Sequence, residues 1–287
     1  MRNSSGFRTW RRRLSDRLAT VTALAAAAAV VAPLLAIFAY LVYRGVGAIN
    51  WAFLTQTPKP VGEVGGGMSN AIIGSALILT VASAIGIPLG IASGIYLAEH
   101  GGSRITRYVR FTADVLNGVP SIVIGIAVYG LVVLRQKHFS AFSGGVALGI
   151  MMIPTITRTT EEMLLMVPAS VREAALGLGI PHWRASLSVV LRTAASGVIT
   201  GVMLAFARVA GETAPLLFTA FGSQYWNFKL DQPTAALPLQ IYVYAISPFE
   251  EWHQQAWAGA LILIILIVIS VGAVRFVTSR GMMKGTS

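Results

Sequence analysis

The chain has 287 residues, of which 55% are hydrophobic and only 11% charged, a balance typical of proteins that cross a membrane several times. The net charge of +11 does not indicate nucleic-acid binding, because the basic residues flank apolar runs and leave no compact basic domain. The absence of cysteine excludes disulfides and thiolate chemistry, and four scattered histidines predict no metal site.

Six apolar segments are long enough to cross a bilayer as helices, which takes about 20 residues each. They are residues 18–43, 69–98, 111–134, 141–166, 193–221 and 256–277. The pattern predicts an all-α polytopic membrane protein with six transmembrane helices. A basic tail of residues 1–17 precedes the first span, which is too long for the apolar part of a signal peptide and is expected to stay as an anchor. Residues 69–277 hold the other five spans, and a second tail follows at 278–287.

The distribution of Lys and Arg predicts the orientation of these spans. With both termini in the cytoplasm, the cytoplasmic segments hold 15 of these residues and the opposite side holds 5. Such an excess is typical of the cytoplasmic face of membrane proteins. The longest outer segment, 222–255, is polar and aromatic; it either meets an extracytoplasmic partner or caps the bundle.

Charged residues inside the predicted spans are the first candidates for function. Arg208 and Glu212 lie four apart in the fifth span, and are predicted to share a helix face. Arg158, Glu161 and Glu162 lie in the cytoplasmic half of the fourth span. Because a charge in hydrocarbon costs about 2.5–3.5 kcal/mol, these side chains are expected to face the bundle interior or a water-filled cavity.

Two interpretations of these charges stay open. In the first, Arg208 and Glu212 neutralise one another and only stabilise the packing of the fourth and fifth spans. In the second, Arg158 and Arg208 offer planar guanidinium donors to an oxyanion, while Glu212 orients Arg208 and weakens its grip. Glu161 and Glu162 then act on Arg158 in the same way, unless one or both lie at the cytoplasmic interface.

The segment between the fourth and fifth spans, residues 167–192, is too polar to cross a membrane. A short helix is predicted over 171–178, ending at Gly179 and Pro181. A short helix between two membrane helices is a suitable lever, because a cytoplasmic partner that grips it moves both neighbours.

This segment carries a family resemblance. Its "EAALGLG" run resembles the EAA motif of ATP-binding-cassette importer permeases, through Glu173, Ala174, Ala175 and Gly179. The resemblance implies a type I, MetI-like permease bundle, in which this loop forms a coupling helix that docks into the ATPase subunit. Arg192 stands where the family usually has a proline, which leaves the start of the fifth span open.

Three further motifs resemble the PstA-type, phosphate-specific permeases. They are "NGVPSIVIGI" at 117–126, "IPTITRTTEEML" at 153–164 and "ARVAGETAPLLFTAFG" at 207–222. The resemblance implies a permease subunit with a PstC-type companion, two ATP-binding subunits and an extracytoplasmic phosphate-binding protein. It also implies that Arg158, Arg208 and Glu212 take part in phosphate passage.

The sequence lacks the glycine-rich phosphate loop of ATP-binding proteins, so ATP is expected to be used by a partner subunit and no cofactor by this chain. Three alternatives stay open. The first is a permease for another oxyanion, such as sulfate or molybdate. The second is a secondary transporter with an Arg/Glu proton relay. The third is a membrane enzyme that uses Glu161, Glu162 or Glu212 as acid or base.

Overall fold

The computed structural model describes residues 4–60, 63 and 65–283, which form helices and connecting segments without a β-strand. Residues 1–3 and 284–287 of the two predicted tails lie outside the described residues. The helices, in chain order, are α1 (Ser4–Gly45), α2 (Trp51–Thr55), α3 (Ser69–Glu99), α4 (Arg104–Gly118), α5 (Ser121–Gln136), α6 (Ala141–Leu165), α7 (Ala169–Gly177), α8 (His182–Ala210), α9 (Ala214–Leu217), α10 (Leu237–Ala245) and α11 (Glu250–Met283).

Five of these helices, α1, α3, α6, α8 and α11, are long and apolar enough to span a membrane. Helices α4 and α5 pass the same test of length and apolarity only as a pair, and they meet at a bend of 106°. The predicted all-α membrane bundle is therefore confirmed, with five candidate spans among the described residues, or six when the bent pair is counted as one. The basic residues of the first tail are helical from Ser4 onward and belong to α1.

The prediction of a continuous third span over 111–134 is wrong. The chain leaves the helix at Val119, whose φ of −71° and ψ of 131° are extended. The cause is Pro120, which has no N–H to donate and which disfavours helical dihedrals in the residue before it. Residues 111–118 therefore belong to α4, an amphipathic helix that packs on α6.

The predicted fifth span, 193–221, is also wrong at both ends. Its helix, α8, begins at His182 and runs through a wider π-helical turn at Ser186–Val190 and through Arg192 without a break. It ends at Ala210, and after the short α9 the chain packs against the start of α6, where the Thr219 carbonyl accepts a hydrogen bond from Ser140 N at 3.0 Å. After α8 the chain therefore changes direction and forms part of the outer end of the bundle.

Helices α3 and α6 form the most extensively packed pair in the bundle. Gly86, Gly90 and Gly94 of α3 face α6, and a Cβ placed at Gly94 would lie 2.5 Å from Thr160 Cβ. On the other side of α6, Gly197 and Gly201 of α8 make equally close approaches. These small residues let the helix backbones approach closely.

The outer segment 222–255 packs on the beginning of α3. Leu237 N–H donates to Ser75 Oγ at 2.7 Å, and Asn70 Nδ2 donates to the Ser223 carbonyl at 2.6 Å. Trp226 Nε1 donates to Ser69 Oγ at 2.8 Å. The segment therefore caps the bundle, which is one of the two roles predicted for it.

Candidate functional site

An ion-pair network joins α4 to the side of α6 that faces it. Glu161 accepts a hydrogen bond from Arg110 Nε at 3.0 Å through Oε1, and from Arg158 Nη1 at 2.8 Å through Oε2. Arg110 Nη2 also contacts Oε1. Arg158 Nε lies 3.1 Å from Asp114 Oδ1. Two guanidinium groups and two carboxylates thus meet, and their formal charges balance.

Burial differs strongly across this network. The Glu161 side chain is 2% exposed, whereas Arg158 is 31% and Asp114 54% exposed. A buried carboxylate is stable only when it is paired and hydrogen-bonded, and the two arginines meet that need. The two glutamates singled out in the sequence therefore differ in environment, because Glu161 is buried in the network and Glu162 is exposed.

Arg208 and Glu212 are not arranged as predicted. Arg208 lies in the last turn of α8, and Glu212 follows the helix end, so the two residues do not share a helix face. The ion pairs between described residues include neither of them. Mutual neutralisation, the first interpretation, is not observed. Arg208 is exposed and Glu212 is half-buried.

The two arginines lie at different depths in the bundle. Gly201 of α8 contacts Thr159 of α6, which sets the register of these antiparallel helices. Arg208 is seven residues beyond Gly201, about 10 Å at 1.5 Å per residue, and Arg158 is one residue from Thr159. Arg208 therefore lies about 9 Å nearer the predicted outer side than Arg158.

The predicted short helix of the polar segment is present as α7, and Gly179 has a φ of +78°. Gly179 N–H donates to the Leu176 carbonyl at 2.9 Å, so the glycine provides the left-handed turn that ends this helix. Glu173 and Ala174 are exposed, while Ala175 is buried against the bundle.

Exposed apolar side chains lie close in sequence to the exposed Glu173 and Ala174. Leu176, Leu178 and Trp183 are 40%, 82% and 66% exposed. Large apolar groups next to a polar helix face are typical of a surface that another protein covers.

A second ion-pair network, absent from the sequence predictions, lies where α3 ends. Glu99 Oε1 accepts a hydrogen bond from Arg172 Nη1 of α7 at 2.7 Å, and Oε2 lies 3.4 Å from His182 Nδ1 of α8. The Glu99 side chain is only 7% exposed.

Some of the missed residues had a signal in the sequence. Asp114 lay inside the predicted third span, where an acid is unexpected, and it follows Arg110 by four residues. These two charges, with Pro120 soon after, indicate a surface helix followed by a break. Glu99 had no such signal, because its partner Arg172 is 73 residues away in sequence.

A comparison with protein families matches residues 86–281 to the binding-protein-dependent transport system inner membrane component. The solved structures agree in fold. The MetNI methionine ABC transporter in its inward-facing conformation aligns with a TM-score of 0.56 at 17% identity, over 73% of this chain and 93% of that one. An amino acid ABC transporter aligns with a TM-score of 0.52 at 16% identity, over 74% and 94%. The chain therefore belongs to the family of inner membrane components of binding-protein-dependent transport systems.

Within that family the chain is similar to the phosphate transport system permease protein PstA from several bacteria. The protein of Yersinia pestis is 44% identical over 91% of this chain and 88% of its own length. That of Xylella fastidiosa is 48% identical over 81% and 82%, and that of Mycobacterium leprae is 36% identical over 94% and 91%. The resemblance to PstA-type permeases seen in the sequence is confirmed.

Proposed function

We propose that this chain is the permease subunit of an ATP-driven phosphate importer in the bacterial cytoplasmic membrane, and that it forms half of the translocation pathway. The observation that carries this proposal is the 44–48% identity, over most of the chain, to proteins named as phosphate transport permeases. A companion PstC-type permease supplies the other half, and an extracytoplasmic binding protein delivers phosphate.

The energy comes from two ATP-binding subunits, and this chain itself binds no cofactor. The surface of α7 supports this assignment, because Glu173 and Ala174 are exposed beside Leu178 and Trp183. An ATP-binding subunit that covers this surface buries the apolar groups and holds a helix too short to be stable alone.

The geometry of the arginines supports two successive phosphate contacts. Arg208 is exposed, lies nearer the predicted outer side and makes no ion pair with a described residue, so its guanidinium is available to phosphate. Glu212, close to it in sequence, limits how tightly the anion is held. A conduit has to bind its ion well enough to admit it and weakly enough to release it.

Arg158 acts later in this scheme, because it lies further from the predicted outer side than Arg208. It already has carboxylate partners. Phosphate reaches its guanidinium by displacing Asp114, the more exposed of the two, while Glu161 keeps the side chain in place. Glu162 is exposed at the same end of α6 and contributes to the local negative charge that favours release.

The test is uptake of radioactive phosphate by vesicles that contain the assembled complex. Arg208→Ala is expected to lower uptake at least about tenfold, in line with the loss of a charge-assisted contact worth about 1.5–3 kcal/mol. Arg44→Ala is the matched control, because Arg44 is also exposed but lies at the outer end of α1. Normal uptake in Arg208→Ala would contradict the role of Arg208.

Competition separates phosphate from the other anions that a guanidinium group suits. Excess unlabelled phosphate is expected to abolish uptake, while sulfate and molybdate are expected to have little effect. Equal competition by sulfate would reassign the substrate to that oxyanion. Uptake that proceeds without ATP would indicate a secondary transporter and contradict the proposal.

A further inference from the structure

Glu99 occupies an unfavourable position for a carboxylate. It is the last residue of α3, where the helix dipole is negative, and its side chain is 7% exposed. Both the dipole and the burial disfavour a negative charge there. The contact that offsets these costs is the hydrogen bond from Arg172 of α7.

One carboxylate therefore contacts two other parts of the chain. Oε1 accepts from Arg172 in α7, and Oε2 lies 3.4 Å from His182, the first residue of α8. Oε2 is buried and makes no hydrogen bond with a described residue. The arrangement joins the end of α3 to both helices of the segment that follows α6.

The coupling helix α7 is held by few contacts apart from this one. Ala175 is the buried residue of its nine, and its more extensive packing is against the first turns of α8. A helix of this length does not persist by its own propensity. The bond between Arg172 and Glu99 is the ion pair that attaches this helix to α3.

Helix α3, which carries Glu99, is itself closely packed in the bundle. Helix α3 packs closely along α6 through Gly86, Gly90 and Gly94, so the two helices form one closely packed unit. Helix α6 carries Arg158 and Glu161. A displacement of α7 that is transmitted through Glu99 reaches the helix pair on which these charged residues lie.

We propose that Glu99 is a positioning residue that couples the movement of the coupling helix to α3 and α6 through its ion pair with Arg172. The inference rests on the proposed function, since it requires an ATP-binding subunit that moves α7. Glu99 contacts neither phosphate nor nucleotide in this scheme. It determines how much phosphate is moved for each ATP that is hydrolysed.

The experiment measures phosphate import and ATP hydrolysis in the same vesicles, with the complete complex and its binding protein. Glu99→Gln is expected to lower the phosphate imported per ATP at least about fivefold, the lower end of typical coupling between sites. ATP hydrolysis is expected to continue. A merely structural role would lower the amount of assembled complex and leave this ratio unchanged.

Two further variants and two controls make the result specific. Arg172→Gln is expected to lower the ratio like Glu99→Gln, and the double variant is expected to be no worse than either, because both act on one contact. Arg44→Gln, an exposed arginine at the outer end of α1, and Asp16→Asn, an exposed acid of the same helix, are expected to keep the normal ratio.

A normal ratio in assembled Glu99→Gln complex would overturn the inference. If that variant does not assemble, Arg172→Gln decides, since Arg172 is the more exposed partner at 25%. A normal ratio in that variant also overturns the inference. Failure of the proposed function looks different, because the unmodified complex would then show no phosphate uptake driven by ATP.

Discussion

Replacement of Glu161 by glutamine is the most direct test of the network between α4 and α6. The substitution keeps the size of the side chain but removes its negative charge, so Arg110 and Arg158 are left facing each other across a neutral amide. Breaking a buried ion pair typically costs about 3–5 kcal/mol. Because Arg110 is 36% and Arg158 31% exposed, water screens part of the charge, and we expect a loss of about 3 kcal/mol.

The measurement is the free energy of unfolding of the chain in mixed micelles with rising SDS, followed by the fluorescence of its six tryptophans. Glu162→Gln is the matched control, because it is the neighbouring residue and is exposed. Its expected effect is within about 0.5 kcal/mol. If the two variants lose the same small amount of stability, the network does not stabilise the packing of α4 on α6.

Two predictions concern glycines. Gly94→Ala places a Cβ 2.5 Å from Thr160 Cβ and is expected to cost about 1–3 kcal/mol in the same unfolding assay, whereas Gly130→Ala meets no atom within 4 Å and should not; equal effects would contradict the close packing of α3 on α6. Gly179→Ala is expected to speed hydrogen exchange in α7, because alanine at a φ of +78° costs about 1 kcal/mol, while Gly177→Ala should slow it; slowed exchange in both would show that Gly179 does not need its left-handed conformation.

Much of the bundle follows from local sequence. The spans predicted at 69–98 and 141–166 agree with α3 and α6 within one residue at each end. Hydrocarbon accepts backbone polar groups only when they are paired, so a long apolar run has to be helical. The same local logic predicted that Gly179 ends α7, because only a residue that tolerates positive φ can turn the chain there.

The charged sites were predictable in part. A charge in an apolar span is visible in sequence, and Arg158, Arg208 and Glu212 were identified in that way. Which of Glu161 and Glu162 is buried was not predictable, since both are consecutive residues of one helix. The answer depends on α4, whose Arg110 contacts Glu161 from 51 residues away in the sequence.

The sequence by itself determined that the chain is a helical membrane protein and where its second and fourth spans lie, because transfer into lipid depends on consecutive residues. It also determined which family the chain resembles, because the motifs that carry the resemblance are continuous in the sequence. The tertiary structure alone decided which of Glu161 and Glu162 is buried and that α7 is attached to Glu99. Both features depend on which helix faces meet, because each buried carboxylate is stabilised by an arginine that is far away in the sequence.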